Sequence, residues 1–309
     1  DYQRSRGLGD VYKRQVHGLP MIPFYIFYSM FGMQRVGDMI WGCADMMCKG
    51  FLLGGTAGRT TLNGEGLQHQ DGHSHVLAST VPSLLSYDPA FGYELAIIVR
   101  EGLRRMYVEQ EDIFYYLTLY NENYLMPDMA DVLARGALTQ DQLMQGVLDG
   151  GYCFDPAHSE ADIHLLASGS ILQQAIRAKA ELQALGYEVS LWSMTSYVEL
   201  QRDAFAVAAA NRQNPQAPAQ VSKVEAMFDD ASGAIIAVTD YMASLAQGIA
   251  AWMPAGYEVL GTDGFGLSES RAALRAHFEV DADAIVSAAL ANLYGQGLID
   301  EEKLNAANR

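Results

Sequence analysis

The stretch Asp162-Ile163-His164-Leu165-Leu166-Ala167-Ser168-Gly169-Ser170-Ile171, running on through Leu185 to Gly186, decides the fold class. Asp162 to Ala167 reads as a strand and Ser168-Gly169-Ser170 as a turn. Ile171 to Leu185 reads as a helix that Gly186 closes at its C-terminal side. A strand without polar alternation that feeds straight into a helix belongs to a mostly parallel sheet covered on both faces.

The same grammar continues downstream. Glu188 to Met194 reads as a strand and Tyr197 to Asn211 as a helix, and Pro215 and Pro218 mark a loop. Ala234 to Val238 is a strand, Tyr241 to Trp252 a helix and Glu258 to Gly261 a short strand. Ser268 is placed to cap a helix reaching His277, and Ala282 to Tyr294 forms the last helix.

Upstream, Pro23 to Ser29 (PFYIFYS) is aromatic and β-branched and reads as a buried strand. Met33 to Phe51 reads as a helix, with Val36, Met39, Ile40, Cys43, Met46 and Met47 on one face. Tyr93 to Tyr107 is a second helix and Asp112 to Tyr120 another buried strand. Residues 121–160 are loop-rich and hold a domain boundary or linker. The expectation is an α/β protein of two doubly wound domains.

Composition bounds the function. A chain of 309 residues suggests about two domains at roughly 150 residues each. Thirty-seven acidic against 20 basic residues give a formal charge of −17. Nucleic-acid binding shows a basic footprint, and none is present, so neither nucleic acid nor an anionic membrane is an expected partner. The apolar run Leu19 to Phe31 falls short of the roughly 20 residues that a spanning helix needs. Cys43, Cys48 and Cys153 lack paired-ligand spacing, which suggests buried, inert thiols and a cytoplasmic setting. Residues 1–15 are polar and aperiodic and read as a non-native or flexible segment, with no signal peptide.

The chemistry concentrates between Gly54 and His75. This stretch holds six glycines and the histidines His69, His73 and His75, spaced His-x3-His-x-His. Long glycine-rich loops in compact domains are often functional. A metal site is disfavoured because no carboxylate follows His75 through Thr80. His73 and His75 each read first as satisfying backbone groups of the loop, and the functional reading is general acid–base work by one imidazole, though spacing does not choose which. No nucleophile elbow accompanies it, and the Ser168-Gly169-Ser170 turn lacks the P-loop lysine. Gly261-Thr262-Asp263-Gly264-Phe265-Gly266 reads as a structural turn.

Several stretches carry a family resemblance. PMIPFYIFYSMFGMQRVGDMIWG, GRTTLNGEGLQHQDGHSH, SYDPAFGYELA, LNENYLMPDM, LLASGSIL and VLGTDGFGLSESRAALRAHFEVDA together resemble the homodimeric pyruvate dehydrogenase components, which are decarboxylating and acetyl-transferring. The match is colinear from about residue 17 to the C-terminus and weakest over 131–160 and 212–232.

The resemblance implies a thiamin-diphosphate enzyme of the transketolase-like superfamily, with Mg2+ as its metal. It implies a partial pyrimidine-binding domain over 16–128 and a transketolase C-terminal-like domain over 129–309. The family's Gly-Asp-Gly metal motif does not occur in this sequence, so the metal and diphosphate ligands are expected from an upstream domain. The glutamate that activates the cofactor is expected at or before residue 1.

Residue by residue, the resemblance assigns Phe31 to the aromatic packed on the pyrimidine ring and Tyr28 to its neighbour. His69 matches the active-site histidine that handles substrate and lipoyl group. Arg35 matches an arginine in the charge network between two cofactors. Glu65 is a further catalytic candidate, with a loop-structuring role as its rival. The implied reaction is decarboxylation of pyruvate with acetyl transfer to lipoyl groups of the dihydrolipoamide acetyltransferase. The implied partners are a second copy, in a homodimer, and that acetyltransferase. The isolated chain is expected to be inactive alone. Two alternatives stay open: another thiamin-diphosphate enzyme (transketolase or another 2-oxo acid dehydrogenase), and a non-catalytic assembly module.

Overall fold

The computed structural model describes residues 21–136 and 138–306, so the segment 1–15 lies outside the described residues. The first sheet holds four parallel strands: β1 (Phe24–Tyr28), β2 (Phe51–Gly55), β3 (Leu84–Tyr87) and β4 (Phe114–Thr118). Their order is β1-β2-β4-β3, with Phe24 opposite Phe51 and Leu84 opposite Phe114. The second sheet holds β5 (Tyr152–Asp155), β6 (Ile163–Ala167), β7 (Val189–Ser193), β8 (Ala234–Val238) and β9 (Tyr257–Leu260), in the order β5-β7-β6-β8-β9. Only β5 runs antiparallel, against β7.

The helices, in chain order, are α1 (Ser29–Asp45), α2 (Ser74–Ala78), α3 (Gly92–Leu103), α4 (Met129–Gly136), α5 (Gln140–Asp149), α6 (Leu172–Ala184) and α7 (Tyr197–Gln213). They continue as α8 (Lys223–Phe228), α9 (Ser244–Gln247), α10 (Arg271–His277), α11 (Ala282–Gly295) and α12 (Glu301–Ala306). Among the described residues no helix is long and apolar enough to cross a membrane.

The strand–turn–helix reading over 162–186 holds. Strand β6 is buried throughout and pairs with β7 and β8. Burying each such aliphatic side chain is worth about 1.5–3 kcal/mol. Gly186, at φ +93°, follows α6 in a conformation that only glycine adopts without strain.

Several expectations need correction. The helix over 33–51 stops at Asp45, and Phe51 opens β2 instead. Gly50, at φ +144°, turns the chain, and the Phe51 N–H bonds the Pro23 carbonyl at 2.9 Å. Tertiary pairing with β1 and β4 overrides the helical spacing of the upstream methionines. Strand β3 has no counterpart in the sequence reading; its four residues are all buried but too few to show a pattern. Strand β1 is not buried: it is the sheet's outer strand, and Phe24, Tyr25, Ile26 and Tyr28 are exposed. The helix expected over 241–252 shrinks to α9 and a 3-10 turn at Ala250–Trp252. The cap of α10 is Ser270, whose hydroxyl accepts from the Ala273 N–H, and not Ser268. Residues 121–160 contain α4, α5 and β5 rather than loop alone. Only Cys48 of the three thiols is fully buried.

The two sheets are tied to each other by backbone and side-chain bonds. The Asp88 N–H donates to the Thr195 carbonyl at 2.7 Å, and Arg202 reaches the carbonyls of Leu84 and Val81 at 2.6 and 2.8 Å. Glu94 on α3 is fully buried and accepts from Tyr152 and Ser193 of the second sheet, both at 2.7 Å. Burial pushes its carboxyl above the usual range, partly offset by those bonds.

Candidate functional site

The carboxyl ends of parallel strands are where open α/β sheets bind ligands. Strand β1 ends at Tyr28 and passes directly into α1, which carries Phe31 and Arg35 on its first two turns. Strand β2 ends at Gly55 and opens the long loop. That loop returns to β1 through a 3-10 turn at Leu67–His69.

All five residues singled out in the sequence meet there. The His69 ring centroid lies 5.7 Å from Tyr28 and 5.1 Å from Phe31, edge-on to the latter. Tyr28 and Phe31 are 5.8 Å apart, and the Arg35 guanidinium sits 4.2 Å above the Phe31 ring. Nδ1 of His69 lies 3.3 Å from Oε2 of Glu65, in ion-pair range but not in a directed hydrogen bond. The Nε2 edge is therefore the side left for another group. Tyr28 is exposed, while Phe31 and His69 are half-buried. Flat aromatic faces, a guanidinium and an accessible imidazole can hold a planar ring and exchange a proton with something bound beside it.

The loop is held from the second sheet. Asp240, at the end of β8, is buried and accepts four bonds from two consecutive residues. These come from the N–H and hydroxyl of Thr60 at 2.8 and 2.6 Å, and of Thr61 at 3.1 and 2.5 Å. Gly58, at φ +86°, leaves no room for a Cβ beside that carboxylate. Arg271 donates to the Thr61 carbonyl at 2.6 Å, and Gln70 bridges the Leu62 carbonyl at 2.7 Å and the Leu267 N–H at 2.6 Å. The glycine-rich turn 261–266 thus packs under the loop.

The other two histidines are placed differently. His75 lies in α2, wholly buried, with Nδ1 2.6 Å from the Ser86 hydroxyl and Nε2 3.1 Å from that of Thr118. Burial holds its ring below the ordinary histidine range, against the pull of Asp88 at 3.8 Å. His73 lies 3.1 Å from Arg59 and 2.7 Å from Gln34. Asp240, Arg59 and Gln34 were not singled out from sequence. Asp240 and Gln34 sit among ordinary strand-end and helix residues, and Arg59 was one charge in a glycine-rich run.

Comparisons with known proteins agree along the chain. Residues 10–127 match the pyruvate dehydrogenase E1 component middle domain, and residues 150–281 the transketolase-like C-terminal domain. The chain is 50% identical over 288 residues to the pyruvate dehydrogenase E1 component of Pseudomonas aeruginosa, covering 92% of this chain and 32% of that protein. It is 47% identical over 291 residues to that of Escherichia coli K12, covering 93% and 31%. A transketolase from Leishmania mexicana superposes with TM-score 0.64 at 17% identity, covering 89% of this chain and 34% of that one. A split-gene transketolase, described as an inactive beta4 tetramer, superposes with TM-score 0.61 at 15% identity, covering 92% and 80%. The chain spans about a third of the length of the curated relatives it matches.

Proposed function

The chain belongs to the pyruvate dehydrogenase E1 family, and on that footing we propose that it supplies the pyrimidine-side half of a thiamin-diphosphate site that decarboxylates pyruvate. The observation that carries this reading is the meeting of Tyr28, Phe31, Arg35, Glu65 and His69 at the carboxyl ends of β1 and β2. The residues fit the ring end of that cofactor, because Tyr28 presents an exposed aromatic face beside half-buried Phe31. The described residues contain no group of three or more His, Cys, Asp or Glu placed to hold a metal. The reading assigns no ligand of Mg2+ or of the diphosphate to these residues. When bound, the cofactor supplies the electron sink for losing carbon dioxide from a 2-oxo acid.

The chain's own groups do the rest. Tyr28 and Phe31 orient the ring. His69 holds a proton at Nε2 and delivers it to, or stabilises charge on, the substrate oxygens while Glu65 faces Nδ1. The acceptor of the two-carbon unit is the lipoyl group of a dihydrolipoamide acetyltransferase. The exposed apolar face of β1 and α1, with Ile26 and Met39 each 67% exposed and Trp41 44%, supports a homodimer. We place the protein in the cytoplasm and the boundary between its two units near residues 128 and 129.

Two measurements test this. His69→Ala in the family's full-length enzyme is expected to lower acetyl transfer while thiamin-diphosphate affinity stays nearly intact. Unchanged turnover in the reconstituted complex would refute the role of His69. Titrating this 309-residue chain with thiamin diphosphate and magnesium is expected to give weak or no binding and no decarboxylation. Tight binding would overturn the half-site reading. The same exposed face favours one second reading, a non-catalytic assembly module; decarboxylation by the chain in any assembly would exclude it.

A further inference from the structure

Arg59 is wholly buried beneath the loop. Its guanidinium lies against Gly72, where any side chain would overlap it. One arm donates to the Gly264 carbonyl, and the Nε–H finds no acceptor. The other arm, Nη2, lies 3.1 Å from Nε2 and 3.5 Å from Nδ1 of His73. Nη2 thus faces the ring nitrogens of His73 and lies nearer Nε2, with the role of each nitrogen set by the tautomer. A neutral imidazole has an acceptor nitrogen for the guanidinium N–H. An imidazolium, with no lone pair and a positive charge, has none.

The remaining groups around His73 do not change that balance. Asp71, also buried, spends Oδ1 on the N–H groups of His73 and Ser74 at 2.9 and 3.0 Å. Asp71 acts on both Arg59 and His73, a single carboxylate facing two potential cations. From α1 the facing group is the uncharged Gln34 amide, 2.7 Å from His73 Nδ1. Asp240 and Asp263 also act on Arg59 but are not among the groups acting on His73. Burial, and then Arg59, hold the His73 ring below the ordinary histidine range, with Asp71 pulling the other way.

Gln34 is on the same helix as Phe31 and Arg35, and His73 is on the same loop as His69. We propose that His73 is a positioning residue that latches the His69 loop to α1 as a neutral ring, and that its protonation releases the latch. Both halves of the candidate site then separate: the imidazole on one side, the aromatic shelf and Arg35 on the other. The functional consequence rests on the proposed site; the latch itself rests on geometry alone.

The test uses the chain with no ligand first. Hydrogen exchange of peptides covering 66–73 and 29–36 is followed between pH 8 and 5, corrected for the intrinsic rate. NMR titration of the His73 ring runs in parallel. Exchange in both peptides is expected to rise as pH falls below about 6.5 and His73 takes up a proton, by up to about tenfold per pH unit for one linked proton. In His73→Gln, which keeps a hydrogen-bonding side chain but does not titrate, the rise should disappear while His75 still titrates. In Gln34→Ala, at an exposed position, protection of 66–73 should already be low at pH 8. Flat exchange in the wild type, a His73 that is charged at pH 7, or the same rise in His73→Gln would each overturn the proposal. Thiamin-diphosphate affinity of the full-length enzyme forms the second arm. A loss of affinity at low pH that His73→Gln removes supports the link to the site. A latch that opens with no change in affinity overturns that link and leaves the latch standing.

Discussion

Replacing Asp240 with alanine should loosen the loop that carries His69 without touching the candidate site directly. The carboxylate is buried and accepts from Thr60 and Thr61 through two backbone N–H groups and two hydroxyls, at 2.5 to 3.1 Å. The hydroxyls can turn elsewhere, since Thr61 already lies 2.5 Å from the Ser170 hydroxyl. The two N–H groups cannot. Each buried donor left unmade costs about 1–3 kcal/mol, giving about 2–6 kcal/mol in all. Burial raises the carboxyl's own proton affinity, so removing it recovers part of that cost, and about 3 kcal/mol is the expected net loss. For a chain of 309 residues that lowers the melting temperature by roughly 4–5 °C. Asp240→Asn keeps one acceptor and should fall between. Thermal unfolding gives the total, and hydrogen exchange at Thr60 and Thr61 gives the location. An alanine variant that melts within a degree of wild type, with both amides still protected, would refute the reasoning.

Other expectations follow from the same structure. Gly58→Ala forces a Cβ into the Asp240 carboxylate at φ +86° and should cost more than about 2 kcal/mol by denaturant titration. A variant as stable as wild type would mean the loop has another path. His75 has a lowered folded pKa, so the unfolded chain binds its proton more readily. Its contribution is full above about pH 6.5 and is lost as pH falls toward the folded value, at up to about 1.4 kcal/mol per unit. Stability curves for wild type and His75→Asn should therefore converge on acidification; parallel curves would show that His75 titrates as it does unfolded. Ser270→Ala removes the cap of α10 and should cost about 1 kcal/mol, while Ser268→Ala, at an exposed position, should cost little. Equal effects in a thermal melt would contradict the cap assignment.

The second sheet was legible because its strands are aliphatic runs closed by turn residues, as at Ile163–Ala167 and Ala234–Val238. The first sheet was less so. Phe51-Leu52-Leu53 is too short to separate from the helical pattern of α1, and its strand identity comes from neighbours more than 60 residues away in sequence at Tyr115 and Leu117. Motif likeness is what assigns the five candidate residues: without it His69 is one of three equivalent loop histidines, and Tyr28 and Phe31 lie on an apolar run that reads as core. The groups that hold them, Asp240 and Arg59, act through contacts 180 and 205 residues distant in sequence, which no local pattern encodes.

Strand β1 has a practical consequence for anyone handling this protein. No charged residue occurs from Pro20 through Gln34, and among the described residues the strand's outer edge has no partner strand. Exposed, uncharged, aromatic edges template strand-on-strand growth, and proteins usually guard them with lysine or proline. The repulsion of a formal charge of −17 opposes uncontrolled growth beyond a pair. That repulsion reaches only about 8 Å at physiological ionic strength and about 3 Å in molar salt. Concentrated salt, the usual remedy for a sticky preparation, is therefore the condition under which this one should cloud. A single lysine at Ile26 would be the better remedy.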